Sequence, residues 1–183
     1  MTTGQGSGAD QSSSKYAHRE RERRWLVRQI PAVPDPEIGF VIEDRYLTGT
    51  GLRLRKMTPL TDGVPQYKLG QKIRLDPLQP SDVMHTTVYL SADEFDALSI
   101  LPGPSVRKTR YVMSIDGSRF GLDIFEGRHA GLALVEFELP TDSALDVETP
   151  AFADKEVTLD DRYSGGALAT ASDATLRETL QSQ

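Results

Sequence analysis

The chain contains no cysteine, which excludes disulfides and thiolate metal sites and fits a cytoplasmic location. No apolar run approaches the ~20 residues a membrane span needs, so no membrane association is expected. A basic surplus is missing too. The 21 lysines and arginines stand against 27 aspartates and glutamates, for a net charge of −6. A general nucleic-acid-binding domain is usually basic, so nucleic acid is not an expected partner. His18, His85 and His129 are not spaced as zinc ligands and read as surface or incidental residues. Residues 1–14 are rich in Gly, Ser, Thr and Gln, lack apolar periodicity and read as a disordered tail. They also lack the apolar core of a signal peptide, so secretion is not expected. Residues 15–183 read as one domain, long enough to bury a substantial core.

What is present is charge sorted by strand face. In Glu20-Arg21-Glu22-Arg23-Arg24, followed by Trp25-Leu26-Val27, an extended backbone puts Glu20, Glu22 and Arg24 on one side. A helix would instead make Glu20 and Arg24 an i,i+4 ion pair, but the face-sorted pattern recurs downstream. Arg53 and Arg55 alternate with Leu52 and Leu54. Lys68, Gly70, Lys72 and Arg74 alternate with Tyr67, Leu69, Gln71 and Ile73. Lys108 and Arg110 share a face, Gly121 and Asp123 another, and Glu136 and Glu138 oppose Val135, Phe137 and Leu139. Strands normally turn a mixed polar face to water. Matched pairs of like charge two residues apart repel, so stability alone does not account for them.

Turn signals mark the intervals. Pro31, Pro34 and Pro36 precede a strand near residues 38–47, Gly49 and Gly51 form a turn, and Asp62-Gly63 and Asp116-Gly117 read as hairpin turns. A further strand is expected over 84–90. Ser91-Ala92-Asp93-Glu94 is a capping box opening a short helix through Leu101, and a C-terminal helix is expected over 172–180. About eight strands with few helices predict a mainly β domain of α+β composition: a closed eight-stranded antiparallel barrel with peripheral helices.

A barrel of that size has room inside for side chains or one small ligand. Lining it with acids and bases is costly unless the charges are paired, because buried unpaired charge costs several kcal/mol per ion. Water, a hard cation and a polyanion satisfy such an interior. A triphosphate with Mg2+ or Mn2+ meets the requirement, arginine and lysine taking phosphate oxygens and carboxylates taking the metal.

These segments resemble, in order, the CYTH domain of the triphosphate tunnel metalloenzyme superfamily. Glu20-Arg21-Glu22-Arg23-Arg24 is similar to its opening Glu-x-Glu-x-Lys signature. Arg53-Leu54-Arg55, Leu69-Gly70-Gln71-Lys72 and Lys108-Thr109-Arg110 resemble its basic strands. Leu122 to Gly127 and Gly131 to Glu138 resemble its most recognisable stretch, and Glu156-Val157-Thr158 with Arg162-Tyr163 its closing motif. The likeness spans about residues 16–169. It implies a tunnel acting on a triphosphate-containing small molecule, inorganic triphosphate or an organic one such as thiamine triphosphate, in a monomer or homodimer. It further implies Glu20, Glu22, Glu136 and Glu138 as metal ligands, with Asp123 a weaker candidate. Arg24, Arg53, Arg55, Lys72, Lys108 and Arg110 become phosphate ligands, while Lys108 and Glu136 become catalytic. Several positions depart from the family pattern. Arg24 replaces a lysine, His85-Thr86-Thr87-Val88 stands where many members carry Glu-x-Glu, and Gly121 and Gly165 replace acidic and Asn residues. Metal-dependent triphosphate hydrolysis is the leading expectation. A noncatalytic polyphosphate- or nucleotide-binding module and a class IV-type adenylate cyclase are the alternatives, whereas a lipocalin-like barrel conflicts with the charged interior.

Overall fold

A computed structural model describes residues 16–32, 38–74, 82–139 and 147–181; the expected tail lies outside these. The eight strands are β1 (His18–Leu26), β2 (Gly39–Tyr46), β3 (Leu52–Pro59), β4 (Gln66–Arg74), β5 (Asp82–Leu90), β6 (Ser105–Ile115), β7 (Ser118–Phe125) and β8 (Ala133–Leu139). They close into a barrel in the order β1-β5-β4-β3-β2-β6-β7-β8, every neighbouring pair antiparallel. Closure leaves no free sheet edge. Among the described residues no helix is long and apolar enough to cross a membrane.

Local chemistry sets the connections. The β6–β7 hairpin turns on Asp116 (φ 49°) and Gly117 (φ 78°), the two left-handed residues that a tight turn of matching twist requires. Helix α1 (Ala92–Ser99) starts as the sequence predicts. Ser91 Oγ accepts from Glu94 N, and the Glu94 carboxylate accepts from Ser91 N. The expected C-terminal helix is α3 (Asp173–Gln181). A shorter one, α2 (Gly165–Thr170), precedes it and was not anticipated. Its glycines argue against a helix on propensity, and Ser164, whose hydroxyl accepts from Ala167 N, supplies the cap.

The apolar core lies outside the charged lumen and beyond one end of it. On the outer face, Trp25, Met113, Phe120, Leu122, Ala133 and Val135 cluster with Val147, Phe152 and Ala153. The segment around Trp25 is held by hydrogen bonds from Leu26 N to Lys155 O and from Val157 N to Arg24 O, both 2.8 Å. A second cluster joins Leu26, Val106, Phe125 and Leu134 to Tyr163, Leu168 and Leu176. By strand parity, those first four share the face of the charged rows. On β1, β6, β7 and β8 the row of lumenal charge therefore ends in an apolar residue at the same end of the barrel, and α2 and α3 complete that floor.

Leu134, fully buried in the floor, tests how far stability rests on it. Leu134→Ala is expected to cost about 2–5 kcal/mol. That would appear as a lower urea midpoint with an unchanged slope, since the surface exposed on unfolding is nearly the same.

Candidate functional site

The lumen is a cavity of about 630 Å3. Ten of the eleven expected site residues line it: Glu20, Glu22, Arg24, Arg53, Arg55, Lys72, Lys108, Arg110, Glu136 and Glu138. Asp123, the eleventh, is not at the cavity surface. It is fully buried, receiving the Lys108 ammonium on one side and the Arg110 guanidinium on both oxygens at 2.6 Å. Lys68, Arg74, Asp44, Tyr46, His85, Thr87 and Tyr89 also reach the cavity.

Register explains which charges meet. Across β1 and β8, Glu22 lies opposite Glu138 and Arg24 opposite Glu136. Arg24 donates to Glu136 at 2.8 Å and to Glu22 at 2.6 Å, and Arg110 also reaches Glu136. Across β2 and β3, Asp44 lies opposite Arg55, which grips it with two bonds of 2.6 and 2.7 Å. Arg53 is farther, 3.7 Å from Asp44. Lys72 Nζ sits 2.9 Å from Glu20 and 3.6 Å from Glu22.

These partners decide the protonation states. Burial pushes the Asp44 carboxyl up, but the charge and hydrogen bonds of Arg55, then Arg53 and Lys108, hold it at about 2 against an ordinary 3.8. Burial likewise opposes ionisation of Glu20, yet the His85 hydrogen bond and the Lys72 charge bring it to about 2. Burial is again offset at Glu136, which Arg110 and Arg24 hold well below its usual range. Lys108 is the reverse case: burial lowers it, and Asp123 only partly compensates. Asp44, Glu20 and Glu136 therefore stay anions that accept hydrogen bonds.

Two cations keep donor capacity that no carboxylate takes up by hydrogen bonding. Arg53 Nε is buried without a hydrogen-bond partner. No ion pair engages Lys68 among the described residues; its ammonium lies 5.1 Å from the Tyr89 ring centroid, and burial with the nearby Arg55 and Arg53 charges lowers its pKa. Among the described residues Glu138 has no ion pair. Among the described residues no three His, Asp or Glu side chains stand close enough to cage a metal. The donor chemistry nevertheless fits a hard cation, because Mg2+ is commonly held by one or two carboxylates plus substrate oxygens and water. Glu22 and Glu138, directly opposed, supply such a pair.

Two departures from the expected pattern have a steric reason. A Cβ at Gly121 would come 3.2 Å from Arg110 Nε, and one at Gly165 would collide with the Tyr46 hydroxyl. Two histidines also differ from the sequence reading. His129 is 1% exposed, its Nε2 2.9 Å from Leu168 O in the floor. His85 lines the lumen, Nδ1 against Glu20. Glu126, Glu156 and Arg162 do not line the cavity and bind Arg107, Arg23 and Asp160, of which Asp160 reaches it.

No protein-family model matches the chain. An inorganic triphosphatase of Nitrosomonas europaea is 45% identical over 158 residues, covering 82% of this chain and 96% of that protein. The chain belongs to the inorganic triphosphatase family. A second inorganic triphosphatase, from Acetivibrio thermocellus, is 37% identical over 60 residues, 33% of this chain and 38% of that protein. A solved inorganic triphosphatase structure aligns with a TM-score of 0.56 at 30% identity, covering 84% of this chain and 95% of that one. The charged barrel is thus a fold shared with a solved member of the inorganic triphosphatase family.

The Asp44 and Glu20 values carry a sign. Both are lower in the folded chain than the ordinary 3.8 and 4.5, so their stabilisation is present above those values and is lost as pH falls toward 2. Urea midpoints are expected to drop over that window. Asp44→Asn should flatten this acid limb and cost about 3–5 kcal/mol at neutral pH, because Arg55 and Arg53 lose their shared anion. An acid limb of unchanged steepness in the variant would refute the assignment.

Proposed function

We propose that this chain hydrolyses a triphosphate, inorganic triphosphate first among them, as a CYTH-type tunnel enzyme using Mg2+ or Mn2+. Family membership supports the reaction, and one observation carries the site: Arg53 keeps a buried guanidinium N–H without a hydrogen-bond partner, beside Lys68, which no acid among the described residues engages. Buried donors are seldom left unpaired, and a phosphate oxygen is the acceptor that suits a guanidinium fork.

The rest of the lumen responds by exchange. Arg24, Arg55, Lys72 and Arg110 are each bound to a carboxylate. A polyanion along the axis competes for these cations, and each acid released becomes a metal ligand. Glu22 and Glu138 would hold the metal, with Glu136 the next acid available once Arg24 and Arg110 turn to phosphate. Glu20 stays with Lys72 and His85, and Asp123 stays as the anchor of Lys108 and Arg110. The metal, when bound, supplies charge neutralisation on the phosphate oxygens and the leaving group. Phosphoryl transfer requires mainly positioning and such charge stabilisation, which suits a rigid, pre-charged lumen. Lys108, buried and paired, contributes positive charge from behind the phosphate site.

Phosphate release from inorganic triphosphate, thiamine triphosphate and ATP, with and without Mg2+ or Mn2+, tests the proposal. Metal-stimulated release from inorganic triphosphate is expected. Binding of triphosphate without release from any of the three would instead mark a binding module.

Two substitutions separate the roles. Arg53→Ala should weaken metal-free triphosphate binding by roughly 10- to 100-fold, the worth of hydrogen bonds to a charged group. Glu138→Gln should leave that binding intact while lowering metal affinity and metal-stimulated release. Calorimetry on both variants decides: equal triphosphate affinity in wild type and Arg53→Ala would place the anion elsewhere.

A further inference from the structure

Among the described residues Lys68, Lys72 and Lys108 are the lysines that line the lumen, and strand register sets Lys68 apart. Lys72 lies 2.9 Å from Glu20, and Lys108 meets Asp123, so a carboxylate engages each of them. Lys68 instead has Arg55 directly opposite on β3 and Tyr89 directly opposite on β5. By the same register Arg53, Met57 and Thr87 are its diagonal neighbours on those strands, within reach of a long side chain. All five line the cavity, and none is acidic.

Such surroundings favour a neutral, nucleophilic amine. Burial, then the nearby Arg55 and Arg53 charges, lowers the Lys68 pKa from the ordinary 10.5, and a lysine set beside other cations is a recurring form of activated nucleophile. The residue is half-buried, its Nζ 5.1 Å from the Tyr89 ring centroid. It borders a lumen of about 630 Å3, so a small molecule can reach it. Arg53 on the diagonal keeps a buried Nε–H without a hydrogen-bond partner, and a phosphate oxygen is the acceptor that suits it. An electrophilic carbon joined to that phosphate then stands next to the amine, and the encounter becomes effectively intramolecular.

We propose that Lys68 is a modification site for small acyl phosphates, which dock by their phosphate on Arg53 and acylate the Lys68 amine. In an acyl phosphate one oxygen separates the phosphorus from the acyl carbon, so a phosphate held on β3 leaves the carbonyl beside the neighbouring row of β4. In the step, the Nζ lone pair bonds to the acyl carbon as the bond from that carbon to the phosphate oxygen breaks. The electron pair of that bond leaves on inorganic phosphate, which takes up the proton the nitrogen loses, and an amide remains. The amide carries no charge. Acylation therefore removes one of the cations that a triphosphate meets and lowers the affinity of the lumen for it. The inference rests on the anion site of the reading above and not on hydrolysis.

The experiment follows acetylation of the full chain by acetyl phosphate, resolved lysine by lysine in peptide mass spectrometry, with the exposed Lys155 as reference. Lys68 is expected to react roughly 10-fold faster than Lys155, the worth of one hydrogen bond to a charged group. Triphosphate should protect Lys68 and leave Lys155 unaffected. Acetic anhydride, which has no phosphate to dock, should show a smaller preference, and Arg53→Ala should lose it, with circular dichroism reporting its fold. After acetylation, calorimetric affinity for triphosphate should fall by about 10-fold in wild type and hold in Lys68→Arg, which keeps the charge and forms no amide. Lys68 reacting no faster than Lys155, or as selectively with the anhydride, overturns the inference. So does a preference that triphosphate leaves in place or that survives in folded Arg53→Ala; the triphosphate arm needs wild type alone and decides the matter if Arg53→Ala misfolds. An equal fall of affinity in Lys68→Arg also overturns it, by assigning the effect to another lysine. Wild type that binds no triphosphate overturns the anion site of the reading above, whereas bound triphosphate beside a slow Lys68 removes only the modification site.

Discussion

The structure depends on opposed charge inside a closed barrel. Asp44 and Asp123 are buried and Glu136 half-buried among Arg24, Arg55, Lys108 and Arg110, and none of these ions tolerates the loss of its partner. Strand register makes the lattice possible: the pairs face each other because β1 meets β8 and β2 meets β3 at fixed offsets. A slip of one residue would turn every charge outward and every apolar side chain inward. The ion pairs and the hydrophobic alternation therefore specify the same register, and each guards against the failure of the other.

A charged lumen leaves the hydrophobic effect to act elsewhere. In an ordinary small barrel the inward side chains are the core. Here the outer face of β1, β7 and β8 is covered by chain around 147–157, and the floor is sealed by Tyr163, Leu168 and Leu176. The C-terminal third is thus a structural requirement of the polar interior. Without it Trp25, Leu122 and Val135, all 1% exposed or less, would face water. The floor also sets the polarity of the cavity, with apolar residues at one end and Lys68 and Tyr89, the latter 71% exposed, lining it as well.

Much of this was legible because parity is a local property. Glu20, Glu22, Arg53, Arg55, Lys72, Glu136 and Glu138 declare a face within a few residues, and the structure brings them together. Asp44 was missed because β2 carries charge on both faces: Glu43 and Arg45 alternate with Asp44. Deciding between them needs the cross-strand neighbour. Counting outward from the turn at Gly49 and Gly51 sets Tyr46 against Arg53 and Asp44 against Arg55, and that signal was available. The floor was harder. Leu26, Val106, Phe125 and Leu134 read as core residues, but that they end the charged rows at a common level follows only from the stagger of all eight strands. Helix α2 is six residues long and contains two glycines, so packing against β2 and β6, not propensity, decides it. His85 stood out as a departure, yet its meaning lies in Glu20, sixty-five residues away.

The lattice also governs how an anion and a cation affect each other on the proposed reading. In the free lumen most carboxylates are already neutralised by arginine or lysine, so a divalent cation entering alone displaces strong charge-assisted bonds to reach them. A triphosphate entering alone meets Lys68 and the Arg53 Nε–H that lacks a hydrogen-bond partner first and then competes for the paired cations. Each cation it captures uncovers the acid it was paired with, and an uncovered acid is unfavourable until a positive ion replaces the lost one. The two ligands thereby favour each other's binding without any movement of the barrel. By linkage the effect is reciprocal, the metal raising affinity for the anion by the factor with which the anion raises affinity for the metal. A lumen of nearly balanced charge gives this coupling, whereas a purely basic one would bind phosphate more tightly but leave the metal no carboxylate to occupy.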